Sequence, residues 1–132
     1  MFTMDHIALN VSDLGSSRHF YEIMGAEVTS RPSELFMELR MGGVTLHLLA
    51  RGAGDLRVNQ CIDHFALRVS SMADLDSLAS RLNRYFETRS QSLIKVQRSP
   101  SLGSDGPLES QPPDSVLYFR DPDGNSIEVR SY

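Results

Sequence analysis

The stretch Asp5-His6-Ile7-Ala8-Leu9-Asn10-Val11-Ser12 returns later as Asp63-His64-Phe65-Ala66-Leu67-Arg68-Val69-Ser70, with six of the eight positions identical and the two histidines 58 residues apart. Self-similarity of this kind means one supersecondary unit used more than once. The whole chain is 132 residues, about one domain's worth, so two small modules must share it. Histidine binds metals or moves protons near neutral pH. If the modules pair about a pseudo-two-fold axis, the duplicated histidine becomes two histidines in one cleft.

The halves also match at their ends. Gly43-Val44-Thr45-Leu46-His47 aligns with Gly124-Asn125-Ser126-Ile127-Glu128: a glycine, then a strand with a possible ligand at the fifth position. His6 to His47 spans 41 residues and His64 to Glu128 spans 64, a surplus of 23 that falls largely in 99–114. That run is rich in Ser, Pro and Gly and reads as an inserted loop, a possible lid.

Between these landmarks the periodicities define elements. Residues 2–11 alternate as a half-buried strand, with Ile7, Leu9 and Val11 on one face and His6, Ala8 and Asn10 on the other. A helix capped by Ser12 or Asp13 follows to about Met24, with Phe20, Ile23 and Met24 apolar, and Gly25 stops it. Strands are expected at 26–30, 34–40 and 44–50, the last two joined by a turn at Met41-Gly42-Gly43. The second module repeats the order: a strand at 61–70, a helix at 73–86, then strands at 92–98, 115–119 and 126–131. Leu75, Leu78, Ala79, Leu82 and Phe86 fall at helical spacing in that helix. Asp121-Pro122-Asp123-Gly124 suits a type I turn. The fold class is therefore α+β, two βαβββ modules in tandem: 1–50, a polar linker at 51–60, and 61–132. In both modules the odd-numbered aliphatics of the first strand pack under the helix, and in the fourth strands Leu46 and Leu48, or Ile127 and Val129, share the face away from His47 and Glu128. His6, His47, His64 and Glu128 then lie on the opposite, open faces, lining a cleft between curved mixed sheets.

Composition narrows the function. Net charge is −4, and no Lys/Arg run or basic helix supports nucleic-acid binding. Apolar runs fall far short of the roughly 18 residues of a membrane span, and the first residues lack the charged and apolar regions expected of a secretory signal. Cys61 is alone, which suits a reducing compartment, most simply the cytoplasm.

With the repeat, Phe20-Tyr21 before Gly25, and Tyr118-Phe119-Arg120-Asp121-Pro122-Asp123-Gly124-Asn125-Ser126-Ile127-Glu128, the sequence resembles the vicinal oxygen chelate superfamily over nearly its whole length. That superfamily includes glyoxalase I, bleomycin-binding proteins and extradiol dioxygenases. The resemblance implies paired βαβββ modules and often a homodimer. In metal-using members the ligands come from the first and fourth strands of each module. Carried over residue by residue, this implies His6, His64 and Glu128, with the fourth position at His47. Glyoxalase I has an acidic or amide side chain at that fourth position, so this chain departs there. Fosfomycin-resistance transferases carry functional residues after the last ligand, where this chain has only Val129-Arg130-Ser131-Tyr132.

Two His and one Glu with open positions suit a divalent Lewis acid such as Zn, Ni, Co, Mn or Fe, one ion per site. A substrate with adjacent oxygens would chelate there as its oxyanion is stabilised. Glu128 is either a ligand alone or a ligand that detaches as the base. Arg68 and Arg130 share the open faces and could hold a substrate carboxylate, with Asn10 a weaker contact of the same kind. His19 reads as a surface residue, and Asp5 and Asp63 as capping or tying their strands. The expectation is a glyoxalase-type lyase or isomerase acting on a small molecule. The alternatives are an Fe(II) extradiol-type dioxygenase or a non-catalytic small-molecule binder.

Overall fold

The computed structural model describes residues 1–50, 63–89, 94–98 and 114–131, with the backbone alone described at 94–98 and 114. Cys61, the expected linker and nearly all of the expected 99–114 loop lie outside the described residues. The elements run β1 (Ile7–Val11), α1 (Leu14–Ile23), β2 (Glu27–Val28), β3 (Phe36–Met41), β4 (Val44–Ala50), β5 (Phe65–Val69), α2 (Met72–Phe86), β6 (Ile94–Arg98), β7 (Asp114–Arg120) and β8 (Ser126–Ser131). They form two four-stranded sheets, β1-β4-β3-β2 and β5-β8-β7-β6. In each, the first strand runs parallel to the fourth and the remaining pairs are antiparallel. This is the α+β arrangement of two βαβββ modules that the repeat implies.

The chain divides into two compact units. One is Met1–Asp63 with Asp121–Asn125, and the other is His64–Arg120 with Ser126–Tyr132. In the first, Leu9, Val11, Leu46 and Leu48 are buried while Ala8 is exposed. Phe20 and Tyr21 of α1 and Leu39 of β3 complete that core. Phe20 belongs to it as expected, but the helix buries Ser17, Phe20 and Tyr21, and leaves Ile23 and Met24 only half-buried. In the second, α2 buries all five expected residues, Leu75, Leu78, Ala79, Leu82 and Phe86, with Leu117, Ile127 and Val129 among the buried strand residues. Each such large aliphatic is worth about 1.5–3 kcal/mol when removed from water.

Local signals set the helix limits. Asp13 is the cap of α1, its Oδ1 accepting from the backbone N–H of Ser16 at 3.1 Å. At the other end, the N–H of Gly25 donates to Glu22 and that of Ala26 to Tyr21, with Gly25 at φ 105. Those two bonds form a Schellman stop, and its left-handed position favours glycine. Ser71 caps α2 by accepting from Asp74 N–H, and the Ser71 hydroxyl donates back to the Asp74 carboxylate. The first strands are shorter than the alternation suggests. Strand β1 begins at Ile7 and β5 at Phe65, so both repeated histidines stand just outside the strand ends.

The expected turn at Asp121-Pro122-Asp123-Gly124 forms, with Gly124 N–H donating to Asp121 O at 3.0 Å and Gly124 at φ 84. Asp121 is fully buried. Its Oδ1 accepts from the backbone N–H groups of Asp123 and Asn125, and its Oδ2 from the Asn125 amide and the Tyr21 hydroxyl, the last at 2.7 Å. The neighbouring Asp123 accepts from Ser12 N–H and the Ser17 hydroxyl. Burial pushes the Asp121 carboxyl up despite these bonds, and burial first, then the Asp121 charge, pushes the Tyr21 hydroxyl well above its ordinary range.

Tyr21→Phe should therefore cost about 1–3 kcal/mol, because it leaves a buried carboxylate one donor short. Thermal denaturation at neutral pH checks the size of the loss. The wild-type chain should also lose stability as pH rises above the ordinary tyrosine value of about 10, since the folded state holds the Tyr21 proton more tightly than the unfolded state. Tyr21→Phe should lack that alkaline limb.

Candidate metal and substrate site

Strand pairing puts the repeated histidine and the fourth-strand donor side by side in each unit. In the first, Ala8 of β1 is the register partner of His47 of β4. Alanine fills little of the space there, and His6, two residues earlier, lays its ring on His47. The centroids are 3.9 Å apart and the planes 19° from parallel. In the second, Ala66 of β5 is the partner of Glu128 of β8, and His64 Nε2 lies 3.5 Å from Glu128 Oε2. The repeated alanine is thus part of the device, since a larger side chain there would compete for the donor's space.

The first unit adds a carboxylate that parity reasoning did not assign. Glu38 of β3 is directly opposite His47, and its Oε2 is 3.0 Å from His47 Nε2. The Thr29 hydroxyl donates to its other oxygen at 2.7 Å, and the Glu38 N–H donates to Ser30 Oγ. The bond from Thr29 first, and that from His47 second, hold the Glu38 carboxyl below the usual range. Phe36 meets the His47 ring edge-on at a centroid distance of 5.0 Å. Asp5 is another departure from expectation. Rather than tying its strand, it is almost fully exposed and accepts from His6 Nδ1 at 2.7 Å, a bond that lowers its pKa. The signal for Glu38 was present: a two-residue turn at Gly42-Gly43 pairs Met41 with Val44, and counting back reaches Glu38 opposite His47.

In the second unit Glu128 is 9% exposed, so its charge requires compensation. Arg130 supplies it, with Nε 3.0 Å from Oε1. Tyr118 of β7 stands opposite Glu128, and Arg68 of β5 is the register partner of Arg130. The register puts both arginines on one sheet face, and a guanidinium can pair a carboxylate or phosphate through two parallel hydrogen bonds. Arg68 is exposed and Arg130 half-buried. Asn10 is half-buried on the face of His6, and His19 is exposed on α1, as expected.

The four expected ligands therefore come as two pairs, His6 with His47 and His64 with Glu128. Among the described residues, no group of three His, Cys, Asp or Glu side chains is gathered closely enough to hold a metal ion. The donor chemistry fits a divalent first-row ion, since imidazole nitrogen and carboxylate oxygen are its usual protein ligands. No helix among the described residues is long and apolar enough to cross a membrane.

A chain with duplicated βαβββ modules and first- and fourth-strand donors is of the vicinal oxygen chelate type. The family model for the Glyoxalase/Bleomycin resistance protein/Dioxygenase superfamily matches residues 3–129, and the chain belongs to that superfamily. Solved structures share the fold. A glyoxylase/bleomycin resistance protein/dioxygenase domain from Frankia sp. EAN1pec is 24% identical, with a TM-score of 0.71 over 99% of this chain and 92% of that one. A lactoylglutathione lyase from Agrobacterium tumefaciens is 21% identical, with a TM-score of 0.63 over 98% and 92%. The oxidase ChaP-H2 is 22% identical, with a TM-score of 0.63 over 99% and 94%.

Thr29→Val should raise the Glu38 carboxyl pKa toward its ordinary value, read by carboxyl ¹³C titration. The sign follows from linkage. A depressed carboxyl adds stability above the unfolded pKa and loses it as pH falls through the folded value. The variant should narrow that acidic window.

Proposed function

We propose that the chain is a divalent-metal-dependent enzyme of the glyoxalase type, a lyase or isomerase acting on a small anionic molecule with adjacent oxygens. The observation that carries this reading is the duplicated pair, with a histidine just before the first strand beside a fourth-strand His47 or Glu128 in each unit. His6, His64 and Glu128 are the proposed ligands, and His47 a fourth. When bound, such an ion stabilises an enediolate or similar oxyanion. Arg68 and Arg130 pair with the substrate's carboxylate and fix its orientation, with Asn10 as a further polar contact. Glu128 is the group proposed to take and return the proton beside the carbonyl. Arg130 holds its Oε1 in place while Oε2 faces His64. The proposed assembly is a homodimer, as superfamily members often form.

The two-histidine, one-carboxylate set also supports a second reading, an Fe(II) extradiol-type dioxygenase. Metal analysis of the untagged protein separates them. Ni, Co or Zn with lyase activity supports the first, whereas Fe(II) with substrate-dependent O₂ uptake supports the second. Calorimetry should show saturable binding of one divalent ion per site. His64→Ala should weaken it by about 100-fold or more through the lost ligand. A wild-type chain that binds none of Zn²⁺, Ni²⁺, Co²⁺, Mn²⁺ or Fe²⁺ sinks both readings and leaves a small-molecule binder.

Arg68→Met keeps much of the stem and removes the charge. It should weaken binding of a small 2-oxo or 2-hydroxy acid about tenfold, near 1.4 kcal/mol, with little effect on folding because Arg68 is exposed. Arg130→Met should weaken the acid similarly and lower thermal stability as well, because Glu128 then loses its buried partner. Unchanged affinity in both variants removes the arginines from the substrate site.

A further inference from the structure

We propose that Glu38 decides which nitrogen His47 presents: its carboxylate holds the imidazole with the proton on Nε2 and leaves Nδ1 as the donor toward a divalent ion. This deepens the metal-binding reading and rests on it. An ionised carboxylate has only acceptor sites, so the 3.0 Å contact between Glu38 Oε2 and His47 Nε2 requires hydrogen on that nitrogen. Glu38 is itself held from two sides, by the Thr29 hydroxyl on Oε1 and by its N–H to Ser30 Oγ. The His47 ring is held as well, its face stacked on His6 and Phe36 edge-on against it.

His6 has the complementary arrangement. Its Nδ1 lies 2.7 Å from Asp5 Oδ2, so its lone pair is on Nε2. The stacked pair thus offers one Nε2 and one Nδ1, each with a carboxylate behind the other ring nitrogen. A carboxylate in that place orients a ligating histidine and raises its basicity. The acidic group stands one strand over from His47, on β3. Glu38 is thereby a positioning residue that acts through His47.

Nuclear magnetic resonance on the full chain, ¹⁵N-labelled at histidine and free of metal, reads this without any activity. It is carried out above the ordinary imidazole pKa of about 6.5. The expected result is an unprotonated Nδ1 on His47 and a slowly exchanging Nε2–H resonance. That resonance should vanish in Glu38→Ala and persist in Glu38→Gln, whose amide oxygen can still accept. Calorimetry with Zn²⁺ should show affinity reduced about 10–100-fold in Glu38→Ala and by less in Glu38→Gln. The Gln variant also serves if the Ala variant fails to fold. A proton on Nδ1, or a resonance and affinity unchanged in Glu38→Ala, overturns the assignment. A wild-type chain that binds no Zn²⁺ while the resonance behaves as expected overturns the metal-binding reading and keeps Glu38 as the residue that fixes the ring.

Discussion

Parallel pairing of the first strand with the fourth is the constraint on which each module depends. A parallel pair cannot be closed by a tight turn and needs a crossover connection, which in each module is a helix and two strands. Those intervening residues supply the helix that covers one face. Alternation then sends Leu9, Val11, Leu46 and Leu48 under that helix in the first unit. It sends His47 to the other face, with His6 laid against it. The same pairing in the second unit sends Ile127 and Val129 to the core and Glu128 to His64. Core and site are thus two faces of one register, and a slip of one residue would exchange them.

The two units solve the same electrostatic problem differently. In the first, imidazoles stack, and the carboxylates Glu38 and Asp5 sit behind them in partly or fully exposed positions. In the second, the carboxylate is itself the strand donor and is nearly buried, so a guanidinium stands beside it. Duplication preserved the placement of donors while their chemistry diverged. The result is an imidazole-rich half and a half that combines one imidazole, one carboxylate and two arginines.

Much of this was legible in the sequence. Period-2 alternation located most strands, helical spacing identified the whole buried face of α2, and the repeat gave the module count and the histidines. The shortfalls have physical causes. Residues 2–6 pair with no strand among the described residues, and β1 begins where Ile7 meets Leu46. In α1, Tyr21 replaces Ile23 and Met24 as the buried side chain because its hydroxyl finds Asp121, 100 residues away in sequence. No local pattern announces a bond of that range.

The sequence by itself determined the duplication, the α+β class, the faces of the strands and the residue types fit for a metal and an anion. These follow from local periodicity and from one motif written twice. Only the tertiary structure decided which ring nitrogen of His6 and of His47 meets a carboxylate, which carboxylate that is, and which charge compensates Glu128. The His47–Glu38 contact joins two strands, while the pairs Asp5–His6 and Glu128–Arg130 depend on rotamers that bring neighbouring side chains together. Register and rotamer fix such distances, and neither is expressed in the order of residues along one strand.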